Sequence, residues 1–502
     1  MTGLTSVDWV VFFIYVITIV SLGWLIGRKQ SNSSEFFIAR RGTSPLLIGA
    51  SLFATLLSTI SYLSIPGETI NKGPMHLTNL IAYPLIFVVV GYFFLPKLMA
   101  LRSISVYALV EQQLGLPIRL FAATMFILLR IFWMCLLINL TSNALLIMVG
   151  LNPEYLPFLI LIVTIVALFY TSLGGINAVM VTDFIQTILL LIGGLAVVTI
   201  VSIKLNGFSW FPAQWQSQYW DDQPFFSLDL STRVTFIGTI LTTFVWYVAT
   251  TVGDQVSVQR FMVAANVSSA RKSLAINLCL SSTVAVLLTL VGFSLLGFFQ
   301  INPFELNNAL SLKHDADQIF PYFVSFHLPP LISGLVLCGL FSAAMSSVDS
   351  GVNSISAVVM TDYIARLKNE DSSCISLRYA RWVSTIIGIS VIFLSYFIEL
   401  VPGNIMAVTN KTVNLLSVPI FIIVANAIFL KNHRPISVFI GTLASILAAI
   451  LCAFSGPIFG YDPTTGLDPI SFQYIGPISL VVGLAFTYVC NLAYTLHNHQ
   501  NI

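Results

Sequence analysis

The chain alternates between long apolar runs and short polar interruptions over almost its whole length. A helix that crosses a bilayer needs about 20 mainly apolar residues, and charged residues, Pro and Gly divide the runs into segments near that length. We predict thirteen membrane-spanning helices, at residues 8–27, 45–72, 75–99, 117–149, 155–174, 178–204, 233–262, 271–300, 325–365, 376–399, 403–430, 434–455 and 472–495. The pattern is typical of an all-α integral membrane protein.

Composition supports this interpretation. Of the 502 residues, 57% are hydrophobic and only 8% are charged, whereas a soluble domain carries about 25% charged residues. Most of the surface must therefore face lipid, and we expect a multi-pass protein of the plasma (cell inner) membrane with the bilayer as its surroundings. The basic residues fall in short loops and form no patch, so a nucleic-acid partner is not expected.

The placement of Lys and Arg predicts the orientation of the spans. Cytoplasmic loops collect these residues, and the best separation puts the N-terminus outside and the C-terminus in the cytoplasm. Four basic residues then lie outside, and two, Arg130 and Lys411, lie within spans. The cytoplasmic set is Arg28, Lys29, Arg40, Arg41, Lys97, Arg102, Arg119, Arg260, Arg271, Lys272, Arg366, Lys368, Arg378, Arg381, Lys431 and Arg434.

Two predicted spans are interrupted and rich in hydroxyl groups. The second has four Ser and Thr residues before Pro66-Gly67, and the seventh has four threonines before Gly253-Asp254-Gln255. Irregular backbone at membrane depth is tolerated only where it is buried in protein or lines a wet cavity. Paired interrupted helices in the two halves of an inverted repeat mark a substrate site near the midplane, although packing through small residues is an alternative.

An odd offset of five spans gives the two interrupted helices opposite directions, as an inverted repeat requires. Spans 2–6 and 7–11 would then form the two repeats. We expect one transmembrane transporter domain over 1–502, made of a peripheral first helix and loop at 1–44, repeats at 45–204 and 233–430, and peripheral C-terminal helices at 434–502.

The ninth span carries a continuous polar face. Ser342, Ser346, Asp349 and Asn353 follow one another at helical spacing, so they share one side of the helix. Such a face must meet another helix or a hydrated cavity. Hydroxyls, carbonyls and one carboxylate suit a hard, monovalent cation, whereas soft metals prefer His or Cys. A hydroxyl-rich helix interface is the alternative.

Charged residues within the bilayer are costly and are functional candidates by default. The acids are Glu68, Asp183, Asp254 and Asp349. An embedded Asp183 could hold sodium, relay protons or pair with a basic residue. Arg130 would lie roughly 16 Å into its span, where it either pairs with an acid such as Glu68 or Asp349, or binds an anionic substrate. Lys411 poses the same alternatives.

Four segments resemble the sodium:solute symporter family, which includes sodium/glucose, sodium/proline, sodium/monocarboxylate and sodium/sialic-acid transporters. They are SLFATLLSTIS at 51–61, LGGINAVMVTDFIQ at 173–186, DQVSVQR at 254–260, and the stretch 343–362 with its AAMSS and NSIS motifs. The resemblance covers spans 1 to 11. It implies a LeuT-like fold of two inverted five-helix repeats, alternating access, and sodium as the co-transported ion.

The resemblance also assigns cation ligands. A sodium ion would bind the backbone carbonyls of Ala54, Leu57 and Ala343 and the hydroxyls of Ser346 and Ser347. Asp183, with Ser350, matches an acidic position that in some relatives holds or supports a second sodium. Asp349 departs from relatives, which usually carry a small polar residue there. This carboxylate could strengthen cation binding, change the stoichiometry or pair with Arg130.

The substrate is assigned less sharply. By position in the family, Ser58, Ser61, His76 and Tyr247 face the central cavity, and Arg130 is a further candidate. The second span resembles the sialic-acid and monocarboxylate branches, so an organic anion is the first hypothesis. The arginine of the sialic-acid branch aligns near Trp133, one turn from Arg130. A sugar or polyol is therefore the second hypothesis.

Other function classes fit the sequence less well. A channel would need a symmetric pore motif or a ring of like charges, and a membrane enzyme a motif such as HExxH or a histidine-rich box. A sensor would need a signalling domain after span 13. We find none of these features in the sequence, and we expect a sodium-coupled transporter without enzymatic activity.

Overall fold

The structure is a computed structural model that describes residues 3–27, 42–100, 105–220, 224–368, 377–397, 405–429, 434–461 and 467–500. The side chains of 27, 168–175, 377, 378, 380, 381 and 497–500 lie outside this description, as do many of the charges that predict the orientation: Arg28, Lys29, Arg40, Arg41, Arg102, Arg378, Arg381 and Lys431. All regular elements of the described residues are helical.

Seventeen helices are numbered here in chain order. They are α1 (Ser6–Gly27), α2 (Pro45–Leu56), α3 (Thr59–Asn71), α4 (Pro74–Ala100), α5 (Tyr107–Leu114), α6 (Leu116–Val149), α7 (Leu156–Lys204), α8 (Phe236–Gly253), α9 (Gln255–Met262), α10 (Val267–Ile301), α11 (Ala316–His327), α12 (Ile332–Lys368), α13 (Leu377–Ser395), α14 (Ile405–Phe429), α15 (Pro435–Ala453), α16 (Ser455–Phe459) and α17 (Ile475–Gln500).

The number of spans agrees only in part with the prediction. Ten helices of the described residues are long and apolar enough to cross a membrane, and the bent pair α2–α3 makes an eleventh. Shorter apolar stretches, Pro153–Ala167 at the start of α7 and Trp382–Ser395 within α13, fall where the fifth and tenth spans were expected. The chain is therefore a multi-pass membrane protein, and the total of thirteen spans stays a prediction.

One predicted span boundary and one predicted break position are wrong. The ninth span does not begin at residue 325, because residues 325–327 end the separate short helix α11 and the long helix starts at Ile332. The interruption of the second span lies at Leu57–Ser58 and bends the helix by 64°. Pro66, which the sequence suggested as an interrupter, lies inside α3.

The helix with the polar face lies at the centre of the molecule. In its most apolar window, 89% of α12 is buried, against 17% for α1 and 28% for the last span. It packs against α7, α6 and α1. Helices α2 and α3 pack against α10, and α8 packs against α14. Helices α2, α3 and α9 also contact α12, so both broken spans lie beside the central helix.

Candidate functional site

The break in span 2 exposes backbone carbonyls inside the protein. Helix α2 ends at Leu56, and the next two residues, Leu57 and Ser58, are extended, with φ −85°, ψ 121° and φ −123°, ψ 176°. The last carbonyls of a helix have no partner within it. The Leu57 N–H satisfies the carbonyl of Phe53 at 2.7 Å, and the carbonyls that follow are available to other groups.

Two serines of α12 face these carbonyls. The Ser346 hydroxyl lies 2.9 Å from the carbonyl oxygen of Ala54 and 3.2 Å from that of Ala343. The Ser347 hydroxyl donates to the carbonyl of Thr55 at 3.2 Å. All these residues are buried. The break and the polar face of α12 thus form one cluster of carbonyl and hydroxyl oxygens.

The membership of this cluster differs slightly from the expected ligand set. Ala54, Ala343, Ser346 and Ser347 lie together, whereas Leu57 lies at the break and lines a neighbouring cavity. Thr55 was not among the expected residues. Its proximity could have been inferred from the sequence, since Ser347 follows Ser346 and Thr55 follows Ala54.

A second cluster, one turn further along α12, is charged. Asp183 of α7 accepts hydrogen bonds from the Ser51 hydroxyl at 2.5 Å and from the Arg260 guanidinium at 3.3 Å. Ser350 lies 3.1 Å from the Thr55 hydroxyl and 3.3 Å from a carboxylate oxygen of Asp349. The other carboxylate oxygen of Asp183 is buried with no hydrogen-bond partner among the described residues.

Arg260 is the member of this cluster that sequence reasoning missed. It was counted with the basic residues of the cytoplasmic side, at the end of span 7, but its side chain is only 1% exposed. It donates to the hydroxyls of Ser51 at 2.8 Å and Ser350 at 2.5 Å and to the carbonyl of Val256 at 3.0 Å. The available signal was its place in the DQVSVQR segment, one of the four that resemble the family.

A cavity of about 220 Å³ lies beside the break. The expected substrate residues Ser61, His76 and Tyr247 line it, together with Trp133. Ser58 does not belong to the lining, since its side chain is fully buried within the break. Among the described residues, the lining has no Lys, Arg, Asp or Glu. It consists of Leu56, Leu57, Ile60, Ser61, Ser64, Ile65, His76, Asn79, Tyr83, Trp133, Thr243, Trp246, Tyr247, Ser281, Ala285, Met406, Thr409, Asn410 and Val413.

Arg130 lies in a second, much smaller cavity of about 10 Å³. The two cavities share a wall of Leu56, Trp133, Trp246 and Val413. Along each helix, the second cavity lies toward the end predicted to be cytoplasmic: Thr55 precedes Leu56, Arg130 precedes Trp133, and Ser417 follows Val413. We call the two spaces the central cavity and the lower cavity.

The buried ion pairs correct the partners expected for Arg130 and Lys411. Arg130 pairs with Asp254, through two guanidinium nitrogens, whereas the acids named for it from the sequence were Glu68 and Asp349. Glu68 pairs instead with Arg233, at 2.5 and 2.9 Å. The ammonium of Lys411 lies 2.6 Å from the carboxylate of Asp468, in the segment before span 13. Structural pairing thus accounts for Lys411, whereas Arg130 is paired and also lines a cavity.

Buried helices with interrupted backbone, an oxygen-lined cluster at one break and an adjacent polar cavity define a membrane transporter. A model of the sodium:solute symporter family matches residues 36–445, and the chain belongs to that family. The resemblance read from the motifs is confirmed, and with it the prediction of a sodium-coupled symporter. The Sodium/sialic acid symporter NanT of Aliivibrio fischeri is 26% identical over 95% of this chain and 92% of its own length.

Solved structures agree on the fold. A substrate-bound, outward-open Na⁺-coupled sialic acid symporter superposes with a TM-score of 0.84 at 24% identity, covering 97% of this chain and 98% of its own. The inward-facing conformation of Mhp1 gives a TM-score of 0.52 at 13% identity, covering 92% of each chain. Both are LeuT-like transporters, and the predicted fold class is supported at that level.

Proposed function

We propose that this protein takes up a small organic solute by alternating access, driven by Na⁺ that binds at the break of span 2. The observation that carries the proposal is the Ser346 hydroxyl, which lies between the carbonyl oxygens of Ala54 and Ala343 at 2.9 and 3.2 Å. With the Ser347–Thr55 contact, it joins the bent span to the central helix. A cation there would stabilise one packing of α12 against the broken helix, which is the outward-open one.

The first sodium site would use Ala54, Leu57 and Ala343 carbonyls with the Ser346 and Ser347 hydroxyls. All are neutral oxygen ligands, which suit a weakly charged hard cation better than a divalent or soft metal. The carbonyl of Thr55, 3.2 Å from the Ser347 hydroxyl, is a candidate sixth ligand.

The charged cluster would hold a second cation. Asp183, Asp349 and Arg260 are all at most 1% exposed, and carboxylate and hydroxyl oxygens suit a hard cation. A second Na⁺ bound by Asp183, Asp349 and Ser350 would satisfy the carboxylate oxygen of Asp183 that has no hydrogen-bond partner among the described residues.

The substrate would bind in the central cavity between the broken helix α3 and helix α8. Ser61, His76 and Tyr247 would contact it directly, and Arg130 would be reached through the wall to the lower cavity. An organic anion such as a sialate or a monocarboxylate is favoured because NanT and the superposing structure are sialic acid symporters. The second candidate is a neutral sugar or polyol, which the uncharged lining of the described cavity supports.

The surrounding assignments follow from the same proposal. The protein would lie in the plasma (inner) membrane with its N-terminus outside, and would catalyse no chemical reaction. The repeats 45–204 and 233–430 would rock against each other around the two cation sites. The inward Na⁺ gradient and the membrane potential, about 2.3 kcal/mol per charge per 100 mV, would drive uptake.

Uptake into proteoliposomes tests the sodium site. Replacing both ligand hydroxyls in Ser346→Ala/Ser347→Ala should abolish the Na⁺ dependence of uptake. The matched control is Ser342→Ala, because the Ser342 hydroxyl lies on the same helix but donates to Tyr15 at 2.8 Å. If the double variant keeps its Na⁺ dependence, the proposed site is wrong.

A substrate panel tests the solute class. Sialate, monocarboxylates, sugars and proline would be offered to the same proteoliposomes with Na⁺ or with choline in its place. Na⁺-dependent uptake of an anion whose half-saturating concentration Arg130→Gln raises supports the first hypothesis. Na⁺-dependent uptake of a neutral sugar whose half-saturating concentration Arg130→Gln leaves unchanged, whatever its effect on the maximal rate, supports the second. If no solute of the panel shows Na⁺-dependent uptake, Na⁺ symport of these solutes is contradicted.

A further inference from the structure

Three basic side chains at the predicted cytoplasmic end of the molecule lie next to aromatic rings instead of acids. They are Lys97 near the end of α4 and the consecutive Arg271 and Lys272 near the start of α10. The two lysines are exposed and the arginine is partly exposed. None of the three forms an ion pair with a described residue, whereas Arg119, on the same predicted side, pairs with Glu111.

The backbone of α4 holds the arginine of this group in place. Residues Val89–Phe94 form a π-helical turn, a rare feature that is frequent at functional sites. The Gly91 carbonyl, within that turn, accepts a hydrogen bond from Nε of Arg271 at 2.8 Å, and the guanidinium carbon lies 4.2 Å from the ring centroid of Tyr92. The two terminal guanidinium nitrogens make no hydrogen bond to a described residue. They can therefore donate together to the oxygens of one phosphate group.

A ring of α14 holds the first lysine on the other flank of α4. The Lys97 ammonium lies 3.7 Å from the ring centroid of Phe429, a favourable cation–π distance. That ring packs against Phe94 of α4, with 5.0 Å between centroids. Between the two flanks, Tyr92 and Phe93 are exposed. Helices α10 and α14 thus place a cation on each side of an exposed aromatic face of α4.

An exposed apolar stripe on α4 leads to these cations. Its members are Ile81, Leu85, Val88 and Tyr92. They are spaced by four, three and four residues, so they share one face of the helix. At 1.5 Å per residue the stripe is roughly 16 Å long, about half of the roughly 30 Å hydrocarbon core of a bilayer. The stripe therefore has the length of one leaflet, and the cations lie at its end, where headgroups begin.

We infer that this end of α4 is a binding site for one anionic phospholipid. The phosphate would bind to Arg271, with Lys97 and Lys272 beside it, and an acyl chain would lie along the stripe. Basic pockets between membrane helices on the cytoplasmic side suit anionic headgroups. A lipid fits better than a soluble phosphate, because the cations are continuous with an exposed apolar face of one leaflet's length.

The bound lipid would contact α4, α10 and α14 together and would stabilise their packing at this end. The inference goes beyond the proposed function, since it requires neither Na⁺ nor a transported solute. It assigns a role to the π-helical turn of α4 and to three charges that the transport sites do not use.

Native mass spectrometry of the delipidated full chain tests the site. The probes are phosphatidylglycerol, which is anionic, and phosphatidylcholine with the same acyl chains, whose headgroup has no net charge. The apparent Kd of the first bound lipid is measured for each. Phosphatidylglycerol should bind at least about fivefold more tightly, the effect expected of one cation near an anionic headgroup. An equal concentration of inorganic phosphate should not displace it.

Substitutions assign the effect to the three cations. Lys97→Gln/Arg271→Gln/Lys272→Gln should raise the Kd for phosphatidylglycerol at least about tenfold and leave that for phosphatidylcholine unchanged. Arg271→Lys keeps the charge but loses the fork, and should raise it about threefold. The matched control is Lys368→Gln. Lys368 is also exposed on the predicted cytoplasmic side and lies 4.1 Å from the Tyr379 ring, but at the ends of α12 and α13. This variant should bind phosphatidylglycerol like the wild type.

Three results would overturn the inference: equal affinity for the two lipids, wild-type affinity in the triple variant, or an equal loss in Lys368→Gln. Displacement by inorganic phosphate would also overturn it, because the site would then bind a soluble anion. The melting temperature without lipid shows whether each variant is folded. If the triple variant is not, unchanged affinity in Arg271→Lys is the contradicting result. Failure of the proposed function would appear separately, as uptake without Na⁺ dependence.

Discussion

The break in span 2 and the break in span 7 both interrupt a buried membrane helix with extended residues, but different groups complete them. At the first, carbonyl oxygens of Ala54 and Thr55 meet only hydroxyls of α12, at 2.9 and 3.2 Å. At the second, the carboxylate of Asp254 caps the helix that follows and pairs with Arg130. The first break is completed by neutral oxygens, whereas the second is closed by charges of the protein itself.

The comparison shows that an interrupted helix is not by itself a ligand site. Unpaired backbone groups at membrane depth must be satisfied, and the side chains that satisfy them decide what the break can bind. Hydroxyl groups can turn toward a backbone carbonyl or toward a cation, so they allow exchange. An ion pair between two buried residues gives a more stable closure, and opening it requires a competing charge.

The largest expected effect comes from opening the second break with Asp254→Asn. This change leaves the Arg130 guanidinium buried without its carboxylate, which costs about 3–5 kcal/mol in comparable cases. The free energy of unfolding of the purified protein in detergent should fall by that amount. Arg130→Gln/Asp254→Asn should lose clearly less, because no unpaired charge remains. If the single and double variants lose the same free energy of unfolding, the loss does not come from an unpaired Arg130 charge.

A smaller effect is expected at the outer half of the first broken span. Asp317 of α11 lies against Gly67 of α3, and burial raises the pKa of this carboxyl from 3.8 to about 7, with Glu68 adding to the rise and Arg233 opposing it. Because the pKa is higher in the folded protein than in the unfolded chain, protonation of Asp317 favours the folded state. This contribution to stability is complete below pH 3.8 and is lost as pH rises through 7.

Asp317→Asn should therefore remove part of the decrease in thermal stability between pH 5 and pH 8. The side chain keeps some exposure, so we expect a difference of about 2 kcal/mol, which is less than the full shift at about 1.4 kcal/mol per unit would give. Melting temperatures of both proteins at the two pH values check this. An identical pH dependence in the variant would exclude Asp317 as its source.

The two serines of the first break should differ in importance. Ser346 contacts two carbonyls and Ser347 contacts one. Ser346→Ala should raise the half-saturating Na⁺ concentration about tenfold, equivalent to about 1.4 kcal/mol, and Ser347→Ala by less. Uptake measured over a Na⁺ series gives both values. The reverse order, or an equal effect of Ser342→Ala, would contradict the proposed geometry.

The sequence predicted the helical class and most of the first break, and it failed where partners depend on packing between distant segments. Long apolar runs predict spans because each membrane-spanning helix must be apolar along its own length. The polar face with Ser346 and Ser347 could be predicted because its helical spacing is local in sequence, and the resemblance to the family implied its position against the first break. The partner of Arg130 was not found, because Asp254 lies 124 residues away and two other acids were equally plausible. Arg260 was counted only as a cytoplasmic charge at the end of span 7, because the position of a charge along the chain does not reveal burial.

The smallest predicted effect concerns a neutral contact at the second break. The Tyr107 hydroxyl donates to the carbonyl of Gly253 at 3.2 Å, the last residue of α8. Tyr107→Phe removes this bond and leaves the Arg130–Asp254 pair intact, so the free energy of unfolding should fall by about 0.5–1.5 kcal/mol. If Tyr107→Phe destabilised the protein as much as Asp254→Asn, the closure of this break would depend on backbone hydrogen bonds, and the contrast with the first break would be lost.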